Sequence, residues 1–364
     1  MSDLSPKYGS LVKGLFGSAK ALAQFIIIPI ILILVTSSLL EGMGKPSLLD
    51  LDRAILNLEV TFLIFGSILA IISFFHEFYP AGSWSRMLLG EIRAVVVIVL
   101  GFVVLTGAGL HEAIRKAGPD IDLVSLFYLL LVLIGLGMLY LVGEWVDNRQ
   151  KWLKAKAAID GTSYFPKQTI PEDPKAHKPW QDFRFRYGRL TSGMRMAQGA
   201  MLLFVIIPVA IVIIVTSIIA SMGSTMTDQL TSTLGTTMTL LFLVGIPIAV
   251  LSFFKGFYPK GSVSRMAFSL VIVALLDLWI WFATLQGRFQ ADLGSVQVNV
   301  DYQPYVLLLV FGVSLWALYY VVEMFSYRKD WMAQGFQPVN EKKAAERRRI
   351  ERQLKKAGKD RKQS

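Results

Sequence analysis

The chain has 364 residues, 54% of them hydrophobic and only 17% charged, with a formal net charge of +11 and no cysteine. A soluble chain carries about a quarter charged residues, so the missing polar surface must face something apolar, and lipid is the natural candidate. The lack of cysteine excludes disulfides, thiolate metal sites and cysteine nucleophiles.

A helix needs about 20 apolar residues to cross the hydrocarbon core, and eight stretches reach or approach that length. They are Leu22–Leu40, Leu56–Phe75, Ala94–Leu110, Val124–Val142, Met201–Ala220, Met238–Phe254, Met266–Leu285 and Val306–Phe325. Eight such runs in one chain argue against buried helices of a large soluble domain and for an all-α integral membrane protein.

Ahead of the first run, Tyr8, Leu11, Val12, Leu15, Phe16, Ala19 and Leu22 fall at helical spacing, with Lys7, Lys13 and Lys20 mostly off that stripe. This predicts an N-terminal helix lying in the membrane interface. The charge layout resembles a signal peptide, but the apolar stretch is long, lacks an obvious small-x-small cleavage site and has a counterpart deep in the chain, so it is expected to remain as a span. Pro29 falls inside this span, Pro208 inside the fifth and Pro247 inside the sixth, where a lost backbone donor predicts kinks. Near the start of the second span Glu59, with Asn57 beside it, is a polar intramembrane candidate.

Between the second and third spans runs Ser73-Phe-Phe-His-Glu-Phe-Tyr-Pro-Ala-Gly-Ser-Trp-Ser-Arg-Met87. It recurs as Ser252-Phe-Phe-Lys-Gly-Phe-Tyr-Pro-Lys-Gly-Ser-Val-Ser-Arg-Met266, differing only at 76/255, 77/256, 81/260 and 84/263. The same offset of 179 pairs Tyr8 with Tyr187, Gly14 with Gly193, Phe25 with Phe204, Pro29 with Pro208, Tyr140 with Tyr319, Glu144 with Glu323, Arg149 with Arg328 and Trp152 with Trp331. Matches spread along the whole unit read as a duplication, giving two tandem parallel four-helix repeats. The expected units are a first repeat with its interfacial helix over 1–152, a cytoplasmic linker over 153–186, a second repeat over 187–331 and a basic tail over 332–364.

In each FYPxGSxSRM segment proline and glycine predict a tight reversal, and Arg86 or Arg265 opens the next helix at headgroup depth. Glu144 and Glu323 end the fourth and eighth spans on the same face, so Arg86–Glu144 and Arg265–Glu323 are candidate ion pairs within each repeat. Asp277 is the acid set well inside an apolar span, with Ile98 at the matching position. An intramembrane carboxylate is costly and is a candidate transport residue, although a hydrogen-bonded helix contact is the plainer reading.

Alternate connections hold 32 of the 37 Lys and Arg residues, while the other four hold only Lys45, Arg53, Arg115, Lys116 and Arg288. The positive-inside rule then puts both termini and the linker in the cytoplasm of a multi-pass protein of the plasma or inner membrane. The basic tail, Glu341 to Lys362, suits anionic lipid headgroups; without interleaved aromatics it argues against nucleic acid. His76, His111 and His177 stand in separate connections without HExxH, GxSxG or a phosphate-binding glycine loop, so neither an enzyme, a metal nor a cofactor is expected. The economical reading is a non-catalytic scaffold or membrane-complex subunit with membrane-protein partners; the alternative is a small channel or transporter along the repeat axis, using Asp277.

Overall fold

The computed structural model describes residues 5–43, 46–106, 123–162, 177–221, 226–292, 297–333 and 336. The tail after 336, most of the linker and His111 lie outside them. Among the described residues eight helices are long and apolar enough to cross a membrane: Leu11–Ser38, Leu51–Phe78, Trp84–Thr106, Val124–Asp160, Leu190–Thr216, Thr233–Phe257, Val263–Ala283 and Gln303–Ala333. Their broad outer faces of Leu, Ile, Val and Phe are solvent-exposed in the isolated chain, which suits lipid and would be intolerable in water. The protein is a polytopic α-helical membrane protein.

The interfacial stripe and the first span are one continuous rod. Helix α1 (Leu11–Leu22) passes through a π-helical segment, Ala23–Ile27, into α2 (Ile28–Met43). The next described helices are α3 (Pro46–Phe78), α4 (Trp84–Thr106) and α5 (Leu123–Asp160). At 1.5 Å per residue the 33 residues of α3 make about 50 Å, more than a hydrocarbon core needs, so α3 must tilt or protrude.

A second series of helices follows in the latter part of the chain. Helix α6 (Leu190–Met201) passes through a second π-helical segment, Leu202–Ile206, into α7 (Ile207–Ser221), followed by α8 (Met226–Phe257) and α9 (Val263–Ala283). A hairpin of β1 (Arg288–Asp292) and β2 (Gln297–Asp301), antiparallel with Arg288 opposite Asp301, leads to α10 (Gln303–Ser314) and α11 (Trp316–Ala333). The hairpin was not expected from hydropathy; alternation in Gln-Val-Asn-Val-Asp is what suits it to a strand.

The π-segments have a local cause. Pro29 and Pro208 cannot donate to the carbonyls of Phe25 and Phe204, and just ahead of them the ladder slips by one residue, Ile28 N donating to Ala23 O and Ile207 N to Leu202 O. In the second half Trp279 Nε1 takes up the Phe204 carbonyl at 3.0 Å; position 100, where Trp279 has its sequence counterpart, is Leu. Pro247 lies within α8, which continues helical past it to Phe257.

Small residues set the helix contacts. A Cβ on Gly14 would come within 2.9 Å of Phe74 on α3, and one on Gly193 within 2.8 Å of Phe253 on α8, so α1 and α6 lie close against those helices. The next turn shows an exchange: Gly17 faces Glu77 (2.6 Å from a Cβ to Cγ), whereas 179 residues on Met196 faces Gly256 (2.7 Å). Each pair has one glycine and one bulky partner, with the roles reversed.

The segment ahead of α1 is tied to α5. Lys7 Nζ and Tyr8 Oη donate to Asp160 at 2.6 and 2.8 Å, and this hydrogen bond raises the Lys7 ammonium above its ordinary value. Tyr8 meets Trp152 edge-on at 5.1 Å, as Tyr187 meets Trp331 at 5.7 Å. The halves join where α5 crosses α6: Asp147 accepts from Leu190 N (3.3 Å) and Thr191 N (2.8 Å), capping α6, and Arg195 donates to Tyr140 Oη at 3.2 Å.

Candidate functional site

The two reversal turns are built alike. Gly82 and Gly261 take φ of +87° and +88°, and a Cβ on either would press within 2.7 Å of the backbone at Asn148 or Tyr327. Only glycine meets both demands, conformation and space. Ser83 and Ser262 then cap the following helices through Arg86 N (3.2 Å) and Arg265 N (3.3 Å), while Arg149 and Arg328 donate to the Gly82 and Gly261 carbonyls at 3.1 and 3.3 Å.

Behind each turn lies an arginine facing a glutamate. Arg86 Nε stands 3.5 Å from Glu144 Oε2, and Arg265 Nε donates to Glu323 Oε2 at 3.3 Å. Arg86 also donates to Glu77 at 3.0 Å, whereas in the second half Lys260 Nζ reaches Glu323 at 3.4 Å. Glu323 is almost fully buried, so its two cations keep a charge tolerable there.

The halves differ beside those pairs. In the first, a cavity of about 550 Å³ opens between α1, α3, α4 and α5, a size suited to a small ligand. Its polar wall carries Lys20, Gln24, His76, Glu77, Arg86, Arg93, Tyr140 and Glu144; its apolar wall includes Phe25, Val97, Ile134 and Leu141. Arg86 is engaged by both glutamates, while neither Lys20 nor Arg93 has a carboxylate within 4 Å among the described residues. His76 is 4% exposed; its Nδ1 lies 3.4 Å from Glu77 Oε1, and its Nε2 has no hydrogen-bond partner among the described residues. Gly17 and Gly90 let the helices around the cavity pack closely, since a Cβ there would come within 2.6 Å of Glu77 and 2.7 Å of Leu141.

In the second half several of the corresponding positions carry different residues. Met196, Ser269 and Trp316 stand where Gly17, Gly90 and Gly137 stand, and Gly199, Leu203 and Ile272 replace Lys20, Gln24 and Arg93. Lys255, at the position of His76, is satisfied by Tyr320 Oη at 2.5 Å and lies over that ring at 4.3 Å. A smaller cavity of about 430 Å³ lies by the α8–α9 turn, with Arg189, Arg195, Lys260 and Arg265 around it.

The remaining sequence candidates lie elsewhere. Asp277 Oδ2 accepts from Ser314 Oγ at 2.7 Å, bridging α9 to α10, and its Oδ1 is buried without a partner among the described residues. Glu59 sits half-buried on α3, remote in sequence from the cavity liners. Asp52, not singled out in the sequence, is buried and accepts from Ser37 at 2.5 Å, clipping α2 to α3.

Asp182 was also missed, and it organises the linker. Fully buried, it accepts from Arg328 and from Val263 N (2.7 Å), the first residue of α9, and meets His177 Nε2 at 2.6 Å. His177 in turn packs on Phe336, Tyr187 and Trp331, a core histidine in a cage of rings. Recurrence was the available signal, since Asp3 stands 179 residues earlier, outside the described residues. No family model, curated protein or solved structure matches this chain.

Proposed function

We propose that the chain is a non-catalytic scaffold or membrane-complex subunit, built from two tandem parallel four-helix units, in the plasma or inner membrane with both termini cytoplasmic. The observation that carries this reading is the state of Asp277. A transport carboxylate should face a path, whereas this one is held by Ser314 across a helix contact at 2.7 Å, outside both cavities. Support for the tandem units comes from contacts that recur at the 179-residue offset: the glycine turns, the Arg–Glu pairs, the π-segments and the Tyr–Trp pairs. Support for the orientation is the concentration of Lys and Arg on alternate connections.

Purified protein in liposomes with an entrapped pH dye tests the role. The scaffold reading expects no flux above protein-free vesicles, with Asp277→Asn altering thermal stability by about 1 kcal/mol. A flux above that background overturns it, and loss of that flux in Asp277→Asn assigns the chain as a transporter. Transport is the second reading because Asp277 Oδ1 is buried without a partner among the described residues. Since the chain has no cysteine, single cysteines report topology cleanly: one at Thr231 should react from outside and one at Lys175 should not.

A further inference from the structure

The first-half cavity combines three features. Its cations outnumber its anions by one, with Lys20, Arg86 and Arg93 against Glu77 and Glu144, and the surplus falls on Lys20 and Arg93 because Arg86 is shared by the two glutamates. Its other wall is apolar, at Phe25, Val97, Ile134 and Leu141. Among its lining residues Phe16 is 74% exposed, on a helix long and apolar enough to cross a membrane. In the second half Met196 packs on Gly256 and Lys255 on Tyr320, so the matching positions are arranged differently.

A ligand for such a site carries a negative group next to hydrocarbon and arrives through the bilayer. We propose that this cavity binds one anionic phospholipid from the adjoining leaflet, its phosphate held by Lys20 and Arg93 and its upper acyl chains lying against Phe25, Val97 and Ile134. Tyr140 and Gln24 are within the same wall to donate to headgroup oxygens. His76 Nε2, buried and free of protein partners among the described residues, is a further group at the polar end. Arg195, from the basic cavity with Arg189, Lys260 and Arg265, donates to Tyr140 at 3.2 Å, so its positive charge lies close by. The site does not depend on whether the protein is a scaffold or a transporter.

Full-length protein in neutral detergent, titrated with phosphatidylglycerol, phosphatidylcholine or inorganic phosphate, tests this. Modification of Lys20 by an amine-reactive ester, read by peptide mass spectrometry, should slow with phosphatidylglycerol only, while Lys13 on the same helix should not change. Lys20→Gln with Arg93→Gln should weaken phosphatidylglycerol binding roughly 30-fold, given the attraction each surface cation exerts on an anionic lipid; Lys13→Gln should leave it unaltered. Equal protection by phosphatidylcholine, protection by phosphate alone, or parallel slowing at Lys13 would each overturn the proposal. The Lys20 protection uses the native protein, so it decides the matter even if the double variant fails to fold.

Discussion

Around the Arg–Glu pairs, the first half places Gly17, Gly90 and Gly137 where the second places Met196, Ser269 and Trp316, and Lys20 and Arg93 where the second places Gly199 and Ile272. The turn, the capping serine and the arginine are the same in both. A frame held by backbone geometry tolerates little change, since a Cβ on Gly82 or Gly261 would strike the neighbouring helix. The residues lining the cavity are where the two halves differ.

The firmest part of the frame should give the largest loss. Asp182→Ala removes the acceptor of Arg328 and Val263 N and leaves the arginine without its buried carboxylate, a change expected to cost about 3–5 kcal/mol. Thermal unfolding in detergent reads it, and a variant as stable as the native chain would break the claim that the linker is latched onto the second half.

The exchanged pair sharpens the comparison more directly. Gly17→Met alone puts a bulky side chain against Glu77, whereas Gly17→Met with Glu77→Gly recreates the Met196–Gly256 arrangement of the second half. The double variant should recover about 1–3 kcal/mol relative to additivity of the two single changes. Strict additivity would mean that the reversal of roles is accidental. A smaller effect belongs to Trp279→Phe, which keeps an aromatic ring near Phe204 but frees the carbonyl left by Pro208; a loss of about 1 kcal/mol is expected, measured in the same unfolding assay.

How much of this was legible in the sequence depends on what kind of pattern carried it. Span number follows from apolar run length, and the reversal turn follows from Pro80-Ala-Gly82 and Pro259-Lys-Gly261, because proline and glycine act through local backbone geometry. The continuity of α1 with α2 was not legible: a lysine-flanked amphipathic stripe before an apolar run suits an interfacial helix as well as the start of a span. The hairpin at Arg288–Asp301 was hidden by hydropathy averaging. In the site, Lys20 and Arg93 counted only as topology charges, because a cavity is lined by residues brought together from four separate helices. The substitutions Lys20/Gly199, Gln24/Leu203 and Arg93/Ile272 along the offset were the readable trace of it. Asp182 was passed over because its importance lies in contacts with Arg328, 146 residues away.

The difference between the halves is tested most directly by counting lipid. Native mass spectrometry of the intact chain, titrated with phosphatidylglycerol, should retain one tightly held molecule per chain, lost in Lys20→Gln/Arg93→Gln. Two molecules of equal affinity per chain, or one that survives that double substitution, would contradict the assignment of an open lipid site to the first half alone.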